Sequence, residues 1–542
     1  MKGMQNIRYM PVGVQSFEAM RIGNYVYVDK THFIPSLERI SRAYFLSRPR
    51  RFGKSLFIST LQAYFEGRRE LFKGLAIEKH KAERGEDWQA YPVLKLDLNA
   101  KEYTEKEHLK TILNDHIDEW CKNYDIQLNS KDPDSAFAKI IRHLYKKFNQ
   151  RVVILVDEYD KPLIATLENK ELQEQYRSML KAFYGVIKSL GDYIYLSFLT
   201  GVTKFSKVSI FSDLNNLDDI SFDEKYSSVC GITEEELLSN FSLEIEAMAN
   251  KYNKSYEDML NVLRQKYDGY RFSEKEERIY NPFSLFNAFD KNKLGDYWFE
   301  SGTPTFMVQL LEQKVFEIPD LEGNIEVTLR NIDEYRIDHT NLVPLLFQAG
   351  YLTIKDYDRD LDFYFLGFPN DEVKYAFVDR LMQVYTSACQ DGSHPFMISK
   401  FVRKMRAGDI DGVLSLIQSL MASIPYDSLP ADKVFLREYN YQTTIYLIFL
   451  LMGQYTRSEV HSSKGRSDVE VETSCAIYIF EFKVGGEPIN AISQIKEAGY
   501  AEKHRASGKD IFLIGAVINQ DMRTLNNWQI EAHPLDKGQK LH

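Results

Sequence analysis

A chain of 542 residues exceeds what one hydrophobic core organises, and at roughly 150 residues per domain three or four domains are expected. With 44% hydrophobic and 27% charged residues it has globular rather than disordered composition. Its net charge of −10 excludes a polycation that coats nucleic acid, so any contact with phosphate backbones must come from a local patch. The cysteines at 121, 230, 389 and 475 lie too far apart for ligand or disulfide spacing, which fits a reducing cytoplasm. The histidines show no paired spacing, so no zinc site is assigned. The first residues lack an apolar signal core, and no apolar run approaches the ~20 residues of a membrane span. A soluble, cytoplasmic protein without membrane contact is expected.

The first third alternates apolar strand-like runs with helical segments, the pattern of an α/β sheet with crossover helices. Ala43–Ser47 (AYFLS) runs directly into Arg48–Ser55 (RPRRFGKS), so Gly53, Lys54 and Ser55 open a helix. Backbone N–H groups and the positive helix end can cradle phosphate there, Lys54 can reach the β- and γ-phosphates, and the Ser55 hydroxyl can bind Mg²⁺. The usual G-x-x-x-x-G-K-S/T loop would begin with glycine where this chain has Arg48. Val93–Leu98 is a second strand. The third, Val152–Val156, is continuously apolar, as in a central strand covered on both faces. It ends in Asp157 and Glu158, where Asp157 can hold Mg²⁺ and Glu158 can orient and deprotonate water. The plainer alternative is a charged strand exit. A fourth strand, Tyr193–Leu199, leads to Thr200, Thr203 and Lys204, which either contact the γ-phosphate or simply cap the strand. Arg50 and Arg51 either neutralise phosphate charge in cis or pair with a carboxylate such as Asp29 or Asp160.

Between about 233 and 289 the spacing turns helical. In the next region, to about 430, the segment LTIKDYDRDLDFYFLGF reads as a hairpin around an Asp-rich turn, and no chemistry is legible there. From about 432 onward the order is long helix, strand, strand, helix, strand. Glu481 and Lys483, two apart on one strand, share a face, and Asp468 begins the preceding strand. Two carboxylates that hold Mg²⁺ beside a lysine that orients a nucleophile make the D…E-x-K arrangement of nucleases. Solvated charges on an edge strand are the plainer reading.

Taken together, YVDKT (27–31), RPRRFGKS (48–55), VDEYDKP (156–162), LTGVTKFSKVSIFSDLNNL (199–217), YDGYRF (267–272), YNPFSL (280–285) and YWFESGTPTF (297–306) closely resemble the AAA-ATPase-like family of bacterial proteins. Members commonly carry a C-terminal PD-(D/E)XK nuclease-superfamily domain, and their loops share the RPRRFGK sequence that puts Arg48 in place of glycine. The resemblance implies an α/β multidomain protein: a P-loop, AAA-like ATPase domain over 1–225, a helical lid over 226–290, a mixed domain over 291–430 and a nuclease-like domain over 431–542. It implies ATP and Mg²⁺ at Gly53, Lys54, Ser55 and Asp157, with Glu158 catalytic. In the C-terminal domain it adds Glu438 as a metal carboxylate, and Gln494 and Tyr500 as contacts to the substrate backbone. Arg271, in the lid, is a candidate nucleotide sensor. The expected function is ATP hydrolysis coupled to cleavage of DNA or RNA, by analogy in defence or mobile-element biology. The alternatives are a nucleotide-dependent switch that binds nucleic acid without cutting it, and an accessory factor acting on a protein partner. Homo-oligomerisation stays open.

Overall fold

The computed structural model describes residues 9–38, 42–99, 102–128, 130, 132–167, 169–204, 217–302, 322–333, 342–385, 394–423, 445–452, 460–462, 469–473, 475–519 and 524–533. The chain divides into one unit of residues 1–302 with 321–372 and a second of 303–320 with 373–542. Among the described residues no helix is long and apolar enough to cross a membrane.

The first unit is built on five parallel strands: β1 (Arg42–Ser47), β2 (Val93–Asp97), β3 (Val152–Asp157), β4 (Ile194–Gly201) and β5 (Leu217–Asp219). The four strands expected from apolar runs are all present, and β3 is buried at every position, as its sequence requires. Their order in the sheet is β2-β3-β4-β1-β5. After β1 the chain crosses to the far edge and returns strand by strand until β4 pairs with β1. The carboxyl ends of β1, β4 and β3 therefore lie side by side next to a topological switch point, where α/β sheets bind ligands.

Next, β6 (Ile232–Thr233) and β7 (Ile279–Tyr280) pair antiparallel around the helices Glu234–Lys251 and Tyr256–Tyr267. The Thr233 hydroxyl accepts from the Glu236 N–H and the Glu236 carboxylate from the Thr233 N–H, a capping box that fixes where the first helix starts. These helices share a core with Val26 of the N-terminal segment and with Leu285 and Phe289 of the following helix, Pro282–Asp290.

The unit ends with helix Tyr297–Gly302, β8 (Glu322–Val327), helices Leu329–Asp333 and Val343–Ala349, β9 (Thr353–Asp358) and β10 (Phe363–Gly367). The sheet runs β8-β10-β9, all antiparallel. The described elements thus follow the helix-strand-helix-helix-strand-strand order of a winged helix, of which the sequence shows only the hairpin. Val343–Ala349 is too short and too uniformly apolar for a helical period to be read, and β8 (EGNIEV) is half polar.

The second unit carries helices His394–Arg406 and Ile410–Ser423 and a sheet of β11 (Val460–Ser462), β12 (Val469–Glu472), β13 (Ala476–Val484), β14 (Asp510–Asn519) and β15 (Thr524–His533), in that order. Only β13 and β14 are parallel, joined by a crossover that includes helix Pro488–Glu497. On one face of β13, Ile477 and Ile479 pack with Ile492 and Ile495 of that helix; on the other, Phe480 meets Phe449 with ring centroids 4.7 Å apart. The expected hairpin-helix-strand order is present, residues 445–452 before it are helical, and β11 and β15 extend the sheet at its edges. Largely polar, β15 offers no apolar run to read, and helix Ile410–Ser423 holds it through Gln418 Nε2 to the Leu525 carbonyl (2.5 Å) and Trp528 Nε1 to Asp411 Oδ1 (2.8 Å).

Candidate active sites

The segment after β1 makes a tight turn before the helix Lys54–Phe65. Arg51 (φ 67°) and Gly53 (φ 99°) both take left-handed backbone, which only glycine adopts without steric cost. Lys54 is almost fully buried, and its Nζ donates to the carbonyls of Arg48 (3.0 Å) and Pro49 (3.1 Å), so the loop curls around the ammonium.

Arg48 has a different task. Its guanidinium is buried, donates to the carbonyls of Ser47 (2.8 Å), Ser221 (2.8 Å) and Tyr226 (3.0 Å), and lies 4.2 Å from the Phe272 ring centroid. Burial lowers its pKa to about 10, which leaves it charged at neutral pH. Arg48 is not among the residues with left-handed backbone, so the loop needs no glycine there.

The acidic end of β3 faces this loop. Asp157 is buried, and its Oδ1 accepts a 2.7 Å hydrogen bond from Thr200 Oγ1 at the tip of β4. Glu158 takes left-handed backbone (φ 54°), a strained state for a non-glycine residue, and strain of this kind gathers at functional sites. Its side chain enters the same cavity as Lys54. Burial raises its pKa, the positive charge of Lys54 opposes that rise, and Asp160 and Asp157 add to it. The cavity, of about 280 Å³, is lined by Arg50, Arg51, Gly53, Lys54, Ser55 and Glu158 together with apolar Val26, Val28, Phe283 and Phe286. Ser55 and Asp157 also border a polar cleft of about 280 Å³ with Glu18, Glu66, Lys95 and Asp97. Oxygen donors of this kind suit a hard divalent cation. Among the described residues no three His, Cys, Asp or Glu side chains are grouped to hold a metal by themselves.

The structure thus brings Arg50, Arg51, Gly53, Lys54, Ser55, Asp157, Glu158 and Thr200 together. It does not bring Lys204 to them. The Lys204 ammonium pairs with Asp219 of β5 (3.0 Å) and lies 4.2 Å from the Phe222 ring centroid. The Thr203 hydroxyl and N–H both donate to buried Asp160 at 2.6 Å. Asp29 accepts from the N–H groups of Thr31 and Ala76. Among the described residues neither Asp29 nor Asp160 is paired with Arg50 or Arg51. Arg271 donates to the carbonyls of Glu274, Lys275 and Lys355, a structural role.

Two cavity residues, Asn99 and Phe286, carried no sequence signal, while Lys161 and Phe283 fall in the VDEYDKP and YNPFSL blocks without a role read for them. Lys30, also in the lining, is clamped to Glu236 at 2.6 Å and joins the N-terminal segment to helix Glu234–Lys251.

In the second unit Glu481 is buried, and its Oε1 lies 3.3 Å from Lys483 Nζ on the same strand face. Lys483 also donates to Gln494 Oε1 on the crossover helix. Glu481 Oε2 is buried without a hydrogen-bond partner, an uncompensated oxygen that suits a cation. Tyr500 packs against the sheet core. Asp468 and Glu438 lie outside the described residues. On the same face, Glu470 Oε2 pairs with His504 Nε2 at 3.1 Å, a contact not expected from sequence.

A family model described as "Predicted AAA-ATPase" matches residues 11–211, and one described as "PD-(D/E)XK nuclease superfamily" matches residues 436–528. An "Uncharacterized protein in vnfD 5'region" from Azotobacter chroococcum mcd 1 is 35% identical over 532 residues, covering 96% of this chain and 99% of that protein. A solved structure, "Structure of the Aeropyrum Pernix ORC2 protein (ADPNP-ADP complexes)", aligns at 11% identity over 70% of this chain and 95% of that one. Its TM-score of 0.17 is too low to support any argument.

Proposed function

Because this chain belongs to the AAA-ATPase-like family that carries a C-terminal PD-(D/E)XK nuclease-superfamily domain, we propose that it hydrolyses ATP and couples the nucleotide state to metal-dependent cleavage of nucleic acid. The observation that carries the first half is the convergence of Lys54, Ser55 and Glu158 on one cavity beside the Thr200–Asp157 hydrogen bond. Lys54 and the loop N–H groups bind the phosphates. Ser55 and Asp157 hold Mg²⁺, which offsets the charge that develops on the phosphoryl group. Glu158, whose pKa burial raises above the usual carboxylate value, accepts the proton of the attacking water. Thr200, tied to Asp157, senses the γ-phosphate, and Arg50, which borders the cavity, supplies positive charge in cis. Arg51 reaches toward Phe283, 4.9 Å from its ring centroid, and shapes the cavity wall.

In the C-terminal domain, Glu481 with Asp468 and Glu438 holds the metal, and Lys483, positioned by Gln494, acts on the nucleophile and the scissile phosphate. We assign the domains to 1–225, 226–290, 291–430 and 431–542 and the protein to the cytoplasm. The net charge of −10 favours one second reading, a switch that binds nucleic acid without cutting it. One assay separates the two: Mg²⁺-dependent cleavage of single- and double-stranded DNA and RNA, with and without ATP. Cleavage that Lys483→Ala abolishes supports the nuclease. Binding without cleavage under every nucleotide and metal condition supports the switch.

A further inference from the structure

The phosphate loop is held from outside by a residue with no place in the motif. Trp298, on the first helix of the winged-helix segment, is buried, and its indole Nε1 donates to the Arg50 carbonyl at 2.9 Å. Its own backbone N–H donates to Glu372 Oε1 (2.8 Å), which also accepts from Ser284 Oγ (2.9 Å). Ser284 stands on the helix that presents Phe283 and Phe286 to the cavity. Gly350 closes the grip: a Cβ there would fall 2.6 Å from Pro49 Cβ and 3.4 Å from Trp298 Cζ2.

A trans peptide points its C=O and the next N–H in opposite directions. An indole that holds the Arg50 carbonyl on the outer side of the loop therefore turns the Arg51 N–H toward the inner side. In a phosphate-binding loop such N–H groups are the ligands, so their aim sets affinity. We propose that Trp298 is a positioning residue for the phosphate loop, and that the winged-helix segment carrying it supports the nucleotide site rather than reading nucleic acid.

Two further observations fit a supporting role. Helix Val343–Ala349, which in a nucleic-acid reader would lie in a groove, is buried along almost its whole length. Its Gln348 accepts from the Lys204 N–H at 2.7 Å, and its Phe347 stacks on Phe222. The hairpin tip, the wing, carries Asp356, Asp358, Asp360 and Asp362 against Lys355 and Arg359, the wrong sign for a phosphate backbone.

The proposal rests on the reading of this loop as a nucleotide site, and the test separates the two. In the full chain, Trp298→Phe keeps an aromatic ring and removes the N–H. Its affinity for ATP and for ADP, measured by titration calorimetry, should fall about tenfold, while melting of the nucleotide-free protein changes little. Glu372→Leu, which removes the acceptor for the Trp298 N–H, should weaken both nucleotides in the same way. Glu372→Gln, which keeps an oxygen there, should restore affinity. In protein labelled with 5-fluorotryptophan, the ¹⁹F resonance that Trp298→Phe deletes should shift when ATP is added. Wild-type affinity in both Trp298→Phe and Glu372→Leu overturns the positioning role. So does equal loss of melting temperature and affinity in Trp298→Phe with no ¹⁹F shift in the parent. If Trp298→Phe does not fold, the contrast between Glu372→Leu and Glu372→Gln decides. Failure of the wild-type protein to bind ATP refutes the nucleotide-site reading instead, before any variant is compared. Loss of nucleic-acid binding on Arg359→Glu or Trp298→Phe, with ATP affinity unchanged, overturns the proposal in favour of a nucleic-acid reader.

Discussion

The two candidate sites gather charge for phosphate chemistry on opposite kinds of scaffold. In the first unit the groups come from a loop and two strand ends, and each is fixed by a distant partner: Asp157 by Thr200, the Arg48 side chain by carbonyls after β5, the Arg50 carbonyl by Trp298. In the second, Glu481 and Lys483 share one strand face, two residues apart, with Gln494 one helix away. A strand aligns its side chains by its own period, whereas a loop has no period and borrows rigidity from its surroundings. The loop site should therefore be sensitive to residues that never touch substrate, and the strand site chiefly to its own side chains.

The sharpest contrast in turnover comes from Glu158. Glu158→Gln removes the proton acceptor and keeps the shape, so ATP turnover should fall by about 10²–10⁴ while ATP affinity holds. Lys483→Ala should leave that turnover intact and suppress cleavage. Steady-state phosphate release and a nuclease assay on both variants check the pair. A coupled loss in either would break the separation of the two sites.

Arg48→Gly tests the borrowed rigidity directly. It installs the glycine of the usual phosphate loop, so by motif alone it should be harmless. Structurally it leaves several buried carbonyls without their charged donor and removes the ring contact with Phe272. A loss of about 3–5 kcal/mol in denaturant unfolding of the first unit is expected. Unchanged stability would mean that the loop supports itself. Lys54→Ala should act on binding, weakening ATP by about ten- to a hundredfold, the worth of a charge-assisted bond to phosphate.

These contrasts also mark what the sequence could and could not show. The strands β1 to β4 were legible as short apolar runs, β3 most clearly because a buried central strand is continuously apolar, and Gly53–Ser55 and Asp157–Glu158 because their chemistry is local. The contact between Trp298 and Arg50 spans 248 residues and that between Lys30 and Glu236 spans 206, and no local pattern encodes either. Bonds from Arg48 to backbone carbonyls leave no partner type to find. Lys204 follows Thr200 by four residues at the same strand end, but its partner Asp219 lies on β5, a strand of three residues with no apolar run. In the second unit the D…E-x-K spacing was readable because strand period and sequence period coincide, and the Glu470–His504 pair was not, since its two residues lie on different elements.

The smallest expected effect concerns Glu372, the buried carboxylate behind Trp298. Burial raises its pKa from 4.5 to about 8, outweighing its hydrogen bonds from Ser284 and Trp298. Folding therefore takes up a proton between those values, so the stabilising contribution is complete below about pH 4.5 and is lost as pH rises to about 8. Asp268, raised by burial to about 6, acts with the same sign over a lower window. Glu158 and Asp160 are also raised by burial but are present in both proteins, so the difference between wild type and Glu372→Gln from pH 6 to 8 reports Glu372. Over that range, wild-type stability of the first unit should fall by on the order of 1–2 kcal/mol relative to Glu372→Gln, which cannot ionise. Denaturant midpoints measured across that range check the slope. Parallel curves would mean that Glu372 is already ionised at neutral pH, leaving a full negative charge behind Trp298. A flattened curve in Glu372→Gln, with ATP affinity kept, would mean that the neutral acid or its amide holds the tryptophan equally well, so that the support behind the loop depends on an oxygen acceptor and not on charge.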